Sequence, residues 1–458
     1  MQQIACKLLI IGAGPGGYVC GIRAGQLGID TVMVEGGKPG GTCLNVGCIP
    51  SKALIHAASE FEAVVRAGSE NALGISAGKA SIDLGKTVDW KDSVVAKLTG
   101  GVTGLLKKSG VRVVEGYARI RDGKSVVVDT EKGQVLIRCQ HLVLATGSAP
   151  VELPFLPFGG NVISSTEALD LREVPGALAV VGGGYIGLEI GIAMAKLGAQ
   201  VTVVEAERRI LPQYDAALTR PVMARLKELG IRTLLGARAQ GLSASGALIV
   251  DTGDETEEIP ADKVLVTVGR RPVLDGFGVE ELGLDREGPF LRVDERCATS
   301  MREVYAIGDI TGEPMLAHRA MAQGTLVAEH LAGHRVSWDK RAIPAVCFTD
   351  PEIVTVGLGP EEAQGFKVSL FPFQANGRAL SVERTDGFVR IVSDPVTGLV
   401  LGIQAAGQGV SEMAGEFALA IEMSATLADI AGTIHAHPTL GETTQEAALM
   451  GLGAALHI

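Results

Sequence analysis

One strand–glycine turn–helix pattern occurs twice in this chain, and the two copies constrain the fold more than any other feature. Leu8-Leu-Ile-Ile-Gly-Ala-Gly-Pro-Gly-Gly17 is an apolar strand running into a glycine turn and a helix start. Ala177-Leu-Ala-Val-Val-Gly-Gly-Gly-Tyr-Ile-Gly187 repeats the order, its first glycine 170 residues after that of the first copy. Each copy leads to a second apolar strand ending in an acid, Thr31-Val-Met-Val-Glu35 and Val201-Thr-Val-Val-Glu205. In both, the acid stands 23 residues after the first glycine. In Gly12-x-Gly14-x-x-Gly17 and Gly182-x-Gly184-x-x-Gly187 the first glycine makes a tight turn. The second lets backbone approach a pyrophosphate at the helix N-terminus, and the third packs helix on strand. An acid at this offset accepts hydrogen bonds from ribose hydroxyls. The repeat therefore predicts two Rossmann-like units and two dinucleotide sites. At the second, the Glu205 carboxylate suits a free ribose 2′-hydroxyl and repels a 2′-phosphate, which favours NAD over NADP although Arg208 and Arg209 stand close by.

The 458 residues leave room for roughly three or four domains of about 150 residues each. Between the fingerprints, Val111-Arg-Val-Val and Ser125-Val-Val-Val-Asp129 read as short strands, with Asp122-Gly123 as a hairpin turn. Leu142-Val-Leu-Ala-Thr-Gly-Ser148 reads as a buried strand leaving the first unit, and Lys263-Val-Leu-Val-Thr-Val-Gly269 plays that part in the second. From about Arg341 strands and helices mix without glycine fingerprints, as in a separate C-terminal domain.

A net charge of −11 argues against a general nucleic-acid surface. No secretory leader is visible, and apolar stretches break before the ~20 residues a membrane span needs; the stretch from Ala177 meets Glu189 and then Lys196. The expectation is a cytoplasmic protein with no membrane or nucleic-acid partner. Five of the seven cysteines, Cys6, Cys20, Cys139, Cys297 and Cys347, are scattered and read as small buried residues.

The other two stand in Gly40-Gly-Thr-Cys43-Leu-Asn-Val-Gly-Cys48-Ile-Pro-Ser-Lys52, directly after the first fingerprint. On an ideal helix two such thiols point about 140° apart, so bridging them needs a local distortion, which Asn45 and Gly47 can supply. A helix start or the Lys52 cation would favour the thiolate that exchange chemistry needs. A zinc site is the rival reading, but no second cysteine pair or histidine cluster stands nearby to complete it, and no metal is expected.

In these segments the chain resembles the pyridine nucleotide–disulfide oxidoreductases, and within them the branch that oxidises dihydrolipoamide; the resemblance runs over essentially the whole chain. It implies that the first fingerprint binds FAD and the second NAD. The segment around Thr42, Cys43 and Cys48 would lie against the flavin, with Cys43 as the exchanging thiol and Cys48 facing the ring. The family's C-terminal motif reads His435-Ala-His437-Pro-Thr-Leu-Gly-Glu442 here. It implies His437 as acid/base, oriented by Glu442 and reaching the cysteines of the other subunit in a homodimer. A near-neutral imidazole tied to a carboxylate suits proton exchange with a thiol. Pro438 fits the first turn of a helix entered at His437.

The resemblance further assigns Gly308 and Asp309 to the ribityl chain of FAD, Ala317 to a backbone contact with the flavin and Ala118 to one with adenine. Thr146 and Gly147 fall where the chain passes FAD again, and Gly269 lies similarly for NAD. Lys52 and Glu189 match the pair at the flavin edge where nicotinamide docks. The implied architecture is α/β, with an FAD-binding domain at 1–148, an NAD-binding domain at 149–271, a central domain completing the FAD site at 272–338 and an α+β dimerisation domain at 339–458. The implied reaction passes electrons from protein-bound dihydrolipoyl groups through a Cys43–Cys48 disulfide and FAD to NAD. The implied partner is a lipoyl-bearing acyltransferase subunit of a 2-oxo acid dehydrogenase complex, or a glycine cleavage system. A glutathione-reductase-like enzyme is the alternative, although it would show arginines in place of Glu205. Outside catalysis, a docking or redox-switch subunit is the other reading.

Overall fold

The computed structural model describes residues 1–458. Strand Gln2–Ile11 runs through the middle of the first sheet, and its Leu8, Leu9 and Ile10 are fully buried. Parallel strands covered on both faces need such continuous apolar runs. It pairs in parallel with Thr31–Glu35 on one side and Gly133–Leu144 on the other, and Arg112–Glu115 extends the sheet beyond Thr31–Glu35. Strand Gly133–Leu144 serves two neighbours. Its first half pairs antiparallel with Ser125–Thr130, and its second half pairs in parallel with Val304–Ala306. The hairpin expected at Asp122-Gly123 is present, joining Tyr117–Asp122 to Ser125–Thr130, and the Asp122 carboxylate accepts from the Lys124 amide and the Ser125 hydroxyl, both at 2.8 Å. Helices α1 (Pro15–Gln26), α2 (Gly41–Val46), α3 (Cys48–Ala67) and α4 (Leu84–Lys108) follow in this part of the chain.

The second unit, which holds the short α5 (Ser165–Ala168), repeats that order of strands: Arg232–Leu235, Gln200–Glu205, Ala177–Val181, Lys263–Val266 and Val162–Ile163, all parallel. An antiparallel meander, Arg238–Leu242, Leu248–Asp251 and Thr256–Ile259, stands where Tyr117–Leu144 stands in the first. The echo in the sequence is thus a repeat of topology. Helices α6 (Tyr185–Lys196) and α7 (Ala216–Glu228) belong to this unit, and Asp215 caps α7 by accepting from the Ala217 amide at 2.9 Å.

Each unit draws its fifth strand from outside the run of chain that supplies the other four. The first sheet takes Val304–Ala306 from beyond the second unit, and the second takes Val162–Ile163 from before its own fingerprint. The stretch 272–338 accordingly returns to the first sheet. Its Leu274, Val279, Leu282 and Leu291 share one buried cluster with Leu142 and Leu144, and its helix α8 (Ala317–Leu331) packs on α1.

The last part is an antiparallel sheet in the order Ala345–Cys347, Glu352–Gly357, Val400–Gly407, Phe388–Ser393, Lys367–Pro372, with a short α9 (Gly377–Ser381) between Lys367–Pro372 and Phe388–Ser393 in the chain. Helices α10 (Ala414–Glu422), α11 (Leu427–Gly432) and α12 (Glu442–Leu452) close over Phe371, Phe373 and Phe417. Buried Arg390 leaves this sheet to meet Asp215 at 2.5 Å, so the cap of α7 also ties the C-terminal part to the second unit. No helix is long and apolar enough to cross a membrane.

Leu142 is fully buried between the central strand and Val304–Ala306. Leu142→Ala is expected to destabilise the protein by about 2–5 kcal/mol, read as a lower urea midpoint with the slope unchanged.

Candidate active site

The two fingerprints are built by one steric rule. Gly12 and Gly182 sit at φ of +100° and +104°, where a Cβ would come within 2.3 Å of the Ala145 carbonyl oxygen and 2.6 Å of that of Thr267. The third glycines bring helix onto strand: a Cβ at Gly17 would lie 1.9 Å from the Gly12 oxygen, and one at Gly187 would lie 2.4 Å from the Gly182 oxygen. The middle glycines are different. Nothing lies within 4 Å of a Cβ at Gly184, and one at Gly14 would meet only the Gly41 Cα at 3.9 Å. The open side of each turn is therefore free for backbone approach to a ligand at a helix start.

Both acids reach back to their own turn. Glu35 accepts from the Ala13 amide at 2.6 Å and from Gly37 at 2.8 Å. Glu205 accepts from the Gly183 amide at 2.6 Å and from Glu207 at 2.7 Å. Each carboxylate is held by two amides, which sets its plane beside the turn.

A cavity of about 1200 Å³ runs from the first fingerprint to the thiols. Gly12, Gly14, Glu35 and Thr42 line it, together with Cys43, Cys48, Lys52 and Glu189. Thr146, Gly147, Gly308, Asp309 and Ala317 line it as well. Gly17 stays behind the turn, Ala118 is buried in its strand, and Gly182, Gly184, Gly187, Glu205 and Gly269 gather at the second fingerprint, outside this cavity. Ser148 and Arg270, which no local motif marks, join the site. The Ser148 hydroxyl donates to Asp309 at 2.5 Å and accepts from Arg270 Nε at 2.8 Å.

The expected distortion between the cysteines falls at Gly47. Helix α2 stops there, Gly47 takes φ −139° and ψ −106°, and α3 starts afresh at Cys48. A Cβ at Gly47 would meet the Thr42 oxygen at 2.9 Å, and Asn45 Nδ2 donates to the Gly41 oxygen at 3.0 Å, holding the short helix closed. Both thiols are free and within hydrogen-bonding reach of each other. Their proton affinities diverge. The hydrogen bond from Cys43 lowers Cys48 to about 7 against the opposing effect of burial, with Lys52 and the amide at the start of α3 adding to it. That same hydrogen bond, then burial and the Cys48 charge, push Cys43 up.

Lys52 lies one turn after Cys48 on α3 and meets buried Glu189 of α6 at 2.7 Å. Glu189 also accepts from the Phe348 amide at 2.9 Å, and the Phe348 ring lies 4.3 Å from Lys52 Nζ. Sequence reasoning missed Phe348, because its partners are far away along the chain.

His437 stands apart. Its Nδ1 is 2.9 Å from Glu442 Oε1, its side chain is 80% exposed, and it does not line the cavity of the cysteines in the same chain. Burial alone would raise the Glu442 carboxyl, but the Thr439 amide at 2.7 Å and His437 hold it below the usual carboxylate range. Pro438 is not in a helix: residues 438–441 form a turn after a cis His437–Pro438 peptide, and α12 begins at Glu442. The acid thus occupies the helix's first position, where the end of the helix dipole favours a negative charge. His435 is spoken for by Glu416 at 2.9 Å.

The glycine geometry separates two kinds of substitution. Gly187→Ala would overpack the turn and is expected to lower stability by about 1–3 kcal/mol. Gly184→Ala projects into open space and is expected to leave the melting temperature near wild type while weakening nucleotide binding. Calorimetric titration beside thermal melts checks this; equal effects of the two changes on melting would contradict it.

Comparison with known proteins accords with this geometry. The sequence profile of pyridine nucleotide-disulphide oxidoreductases matches residues 6–324, and that of the same family's dimerisation domain matches residues 343–448. The chain is 58% identical to a dihydrolipoyl dehydrogenase of Pseudomonas aeruginosa over 100% of both chains. It is 44% identical to one of Geobacillus stearothermophilus over 99% of this chain and 98% of the relative. The crystal structure of LpdA from Mycobacterium tuberculosis superposes with a TM-score of 0.88 at 28% identity, over 98% of this chain and 99% of that one. With the matched profiles covering both fingerprints, the cysteine pair and the His437–Glu442 turn, this chain belongs to the pyridine nucleotide-disulphide oxidoreductase family and carries that family's dimerisation domain.

Proposed function

We propose that this protein is a dihydrolipoamide:NAD oxidoreductase, acting on lipoyl groups carried by an acyltransferase subunit of a 2-oxo acid dehydrogenase complex or by a glycine cleavage system. The observation that carries this reading is the pair of free thiols at the break between α2 and α3, in one cavity with a glycine cradle and the Lys52–Glu189 ion pair. The residues fit the cofactors of the family. The 1–148 stretch, completed by 272–338, would hold FAD through the open Gly14 turn, Glu35, Asp309 and the backbone at Ala118, Thr146, Gly147 and Ala317. The 149–271 stretch would hold NAD through Gly184 and Glu205, with Gly269 alongside. When bound, flavin and nicotinamide supply the electron-pair and hydride chemistry that side chains lack.

The chain's own residues account for the thiol chemistry. In a homodimer built through 339–458, His437 of one subunit serves the cysteines of the other. Its Nε2 takes the proton of a substrate thiol while Glu442 holds Nδ1. The substrate thiolate attacks Cys43 Sγ in the Cys43–Cys48 disulfide, forming a mixed disulfide and leaving the electron pair on Cys48. Lys52 and the start of α3 stabilise that thiolate. His437 gives that first proton up to solvent and then takes the proton of the second substrate thiol, whose thiolate closes the lipoyl disulfide and releases Cys43, which is protonated by His437. The different proton affinities of the two cysteines suit this order: Cys43 accepts a proton as it leaves, and Cys48 keeps its charge. A cytoplasmic setting suits the five other cysteines, all buried and free.

Cys43→Ser and Cys48→Ser are each expected to abolish lipoamide turnover while flavin absorbance persists, and turnover by either variant would refute the assignment of the pair. His437→Gln is expected to slow turnover by about 10²–10⁴-fold, the range of a lost acid–base group; a few-fold loss would remove it from the mechanism. Glu205→Ala is expected to erode the preference for NADH over NADPH. Assays of lipoamide and glutathione disulfide in parallel separate this reading from a glutathione-reductase-like one, and pull-down on lipoyl-bearing subunits tests the partner.

A further inference from the structure

The contact between α3 and α6 is ionic at both ends, with opposite polarity. At one end Lys52 of α3 meets Glu189 of α6 at 2.7 Å. At the other, Glu62 of α3 meets Lys196 of α6 at 3.0 Å. One segment of the C-terminal part, Phe348 to Asp350, touches both ends. The Phe348 amide donates to Glu189 at 2.9 Å, and its ring lies 4.3 Å from Lys52 Nζ. Two residues on, Asp350 accepts from Lys196 at 2.8 Å and from Arg225 Nε of α7 at 3.0 Å, and its other oxygen is held by Arg384. Between them the Thr349 hydroxyl donates to the Pro351 oxygen at 2.7 Å, stiffening the link.

Asp350 is buried among these cations. Burial alone would raise its carboxyl, but Arg384 and Lys196 hold it well below the usual carboxylate range, so it is charged wherever the protein works. Without that charge, Lys196 and Arg225 would share half-buried Glu62, with Glu228 at the surface end of Arg225, and Arg384 would keep only Asp386 at 3.6 Å. The cluster would repel itself and the segment carrying Phe348 would lose its anchor.

We propose that Asp350 is a positioning residue: it anchors a strap, Phe348 to Asp350, by which the C-terminal part holds the Lys52–Glu189 pair in register beside Cys48. The strap rests on the reading of Lys52 and Glu189 as part of the redox site, and it adds residues that do not line the cavity of the thiols. Releasing it removes the ring from Lys52 and the amide from Glu189, and with them the fixed cation that favours the Cys48 thiolate. An ion cluster that merely stapled domains together would alter melting and leave the thiolate alone.

The test uses the flavin-loaded protein in a Cys43→Ser background, where the other five cysteines are buried. The pH midpoint of the long-wavelength absorbance of the Cys48 thiolate against the flavin is read, together with KM and kcat for NAD in protein with Cys43 intact. Asp350→Asn is expected to raise the midpoint by about one pH unit, roughly a tenfold loss of thiolate on the acid side, and to raise KM for NAD while KM for dihydrolipoamide stays put. Asp350→Glu should recover most of both effects. Phe348→Leu keeps the amide and the ion cluster, so it should move the midpoint upward at an unchanged melting temperature. Melting changes in Asp350→Asn with an unmoved midpoint and an unmoved KM for NAD would overturn the proposal. So would an unmoved midpoint in Phe348→Leu, which decides the matter if Asp350→Asn does not fold. If unmodified protein shows the thiolate absorbance but does not oxidise dihydrolipoamide, the proposed substrate falls, and the midpoints still decide the strap.

Discussion

The distance between a helix start and the end of its strand governs this molecule. At Gly17 and Gly187 the helix comes so close that a single Cβ would collide with a carbonyl oxygen of the turn. That approach leaves the amides at the helix start facing outward, where a phosphate can use them. It also puts the middle amide of each turn, Ala13 or Gly183, within reach of the acid that ends the neighbouring strand. Turn, helix and acid are one unit, and the chain makes it twice.

The redox pair depends on a second local break and on a distant contact. Ending α2 at Gly47 and restarting at Cys48 gives the second thiol a helix start while the first stays in a separate short helix. A single continuous helix would have turned the two sulfurs away from each other. The hydrogen bond between them sets their proton affinities apart and the Lys52 cation adds to it; Lys52 is placed by Glu189 and Phe348, one from the second unit and one from the C-terminal part. Three parts of the chain therefore meet behind Cys48. The site is a junction between domains, where ligand clefts are commonly built.

His437 shows the same dependence from the other side. Its bond to Glu442 is formed within one turn of chain, but its imidazole is 80% exposed and away from the cavity of its own cysteines. The C-terminal part thus has two faces of interest: one presents His437 outward, in a region that matches a dimerisation domain, and the other sends Phe348 and Asp350 inward.

What the sequence alone determined is local. Glycine spacings, the acid at a common offset, the Cys43–Cys48 segment and the His437–Glu442 turn are all set by steric rules and bonds over a few residues, or by one strand ending beside the next, so they leave a pattern in the sequence, although it took the family resemblance to mark His437 and Glu442. The turn at Asp122 is legible for the same reason. What only the tertiary structure decided is pairing across long stretches of chain. Lys52 and Glu189 are 137 residues apart, and Glu189 and Phe348 are 159 apart; no period connects them, although a family resemblance pointed to the first pair. The recruitment of each unit's fifth strand from a distant stretch of chain, the Ser148–Arg270 link to Asp309 and the anchoring of Asp350 by three cations are of this kind. Pro438 marks the boundary within a single motif. Its spacing fitted a helix start, but the chain turns first and gives that place to Glu442, whose carboxylate gains both the helix end and the Thr439 amide.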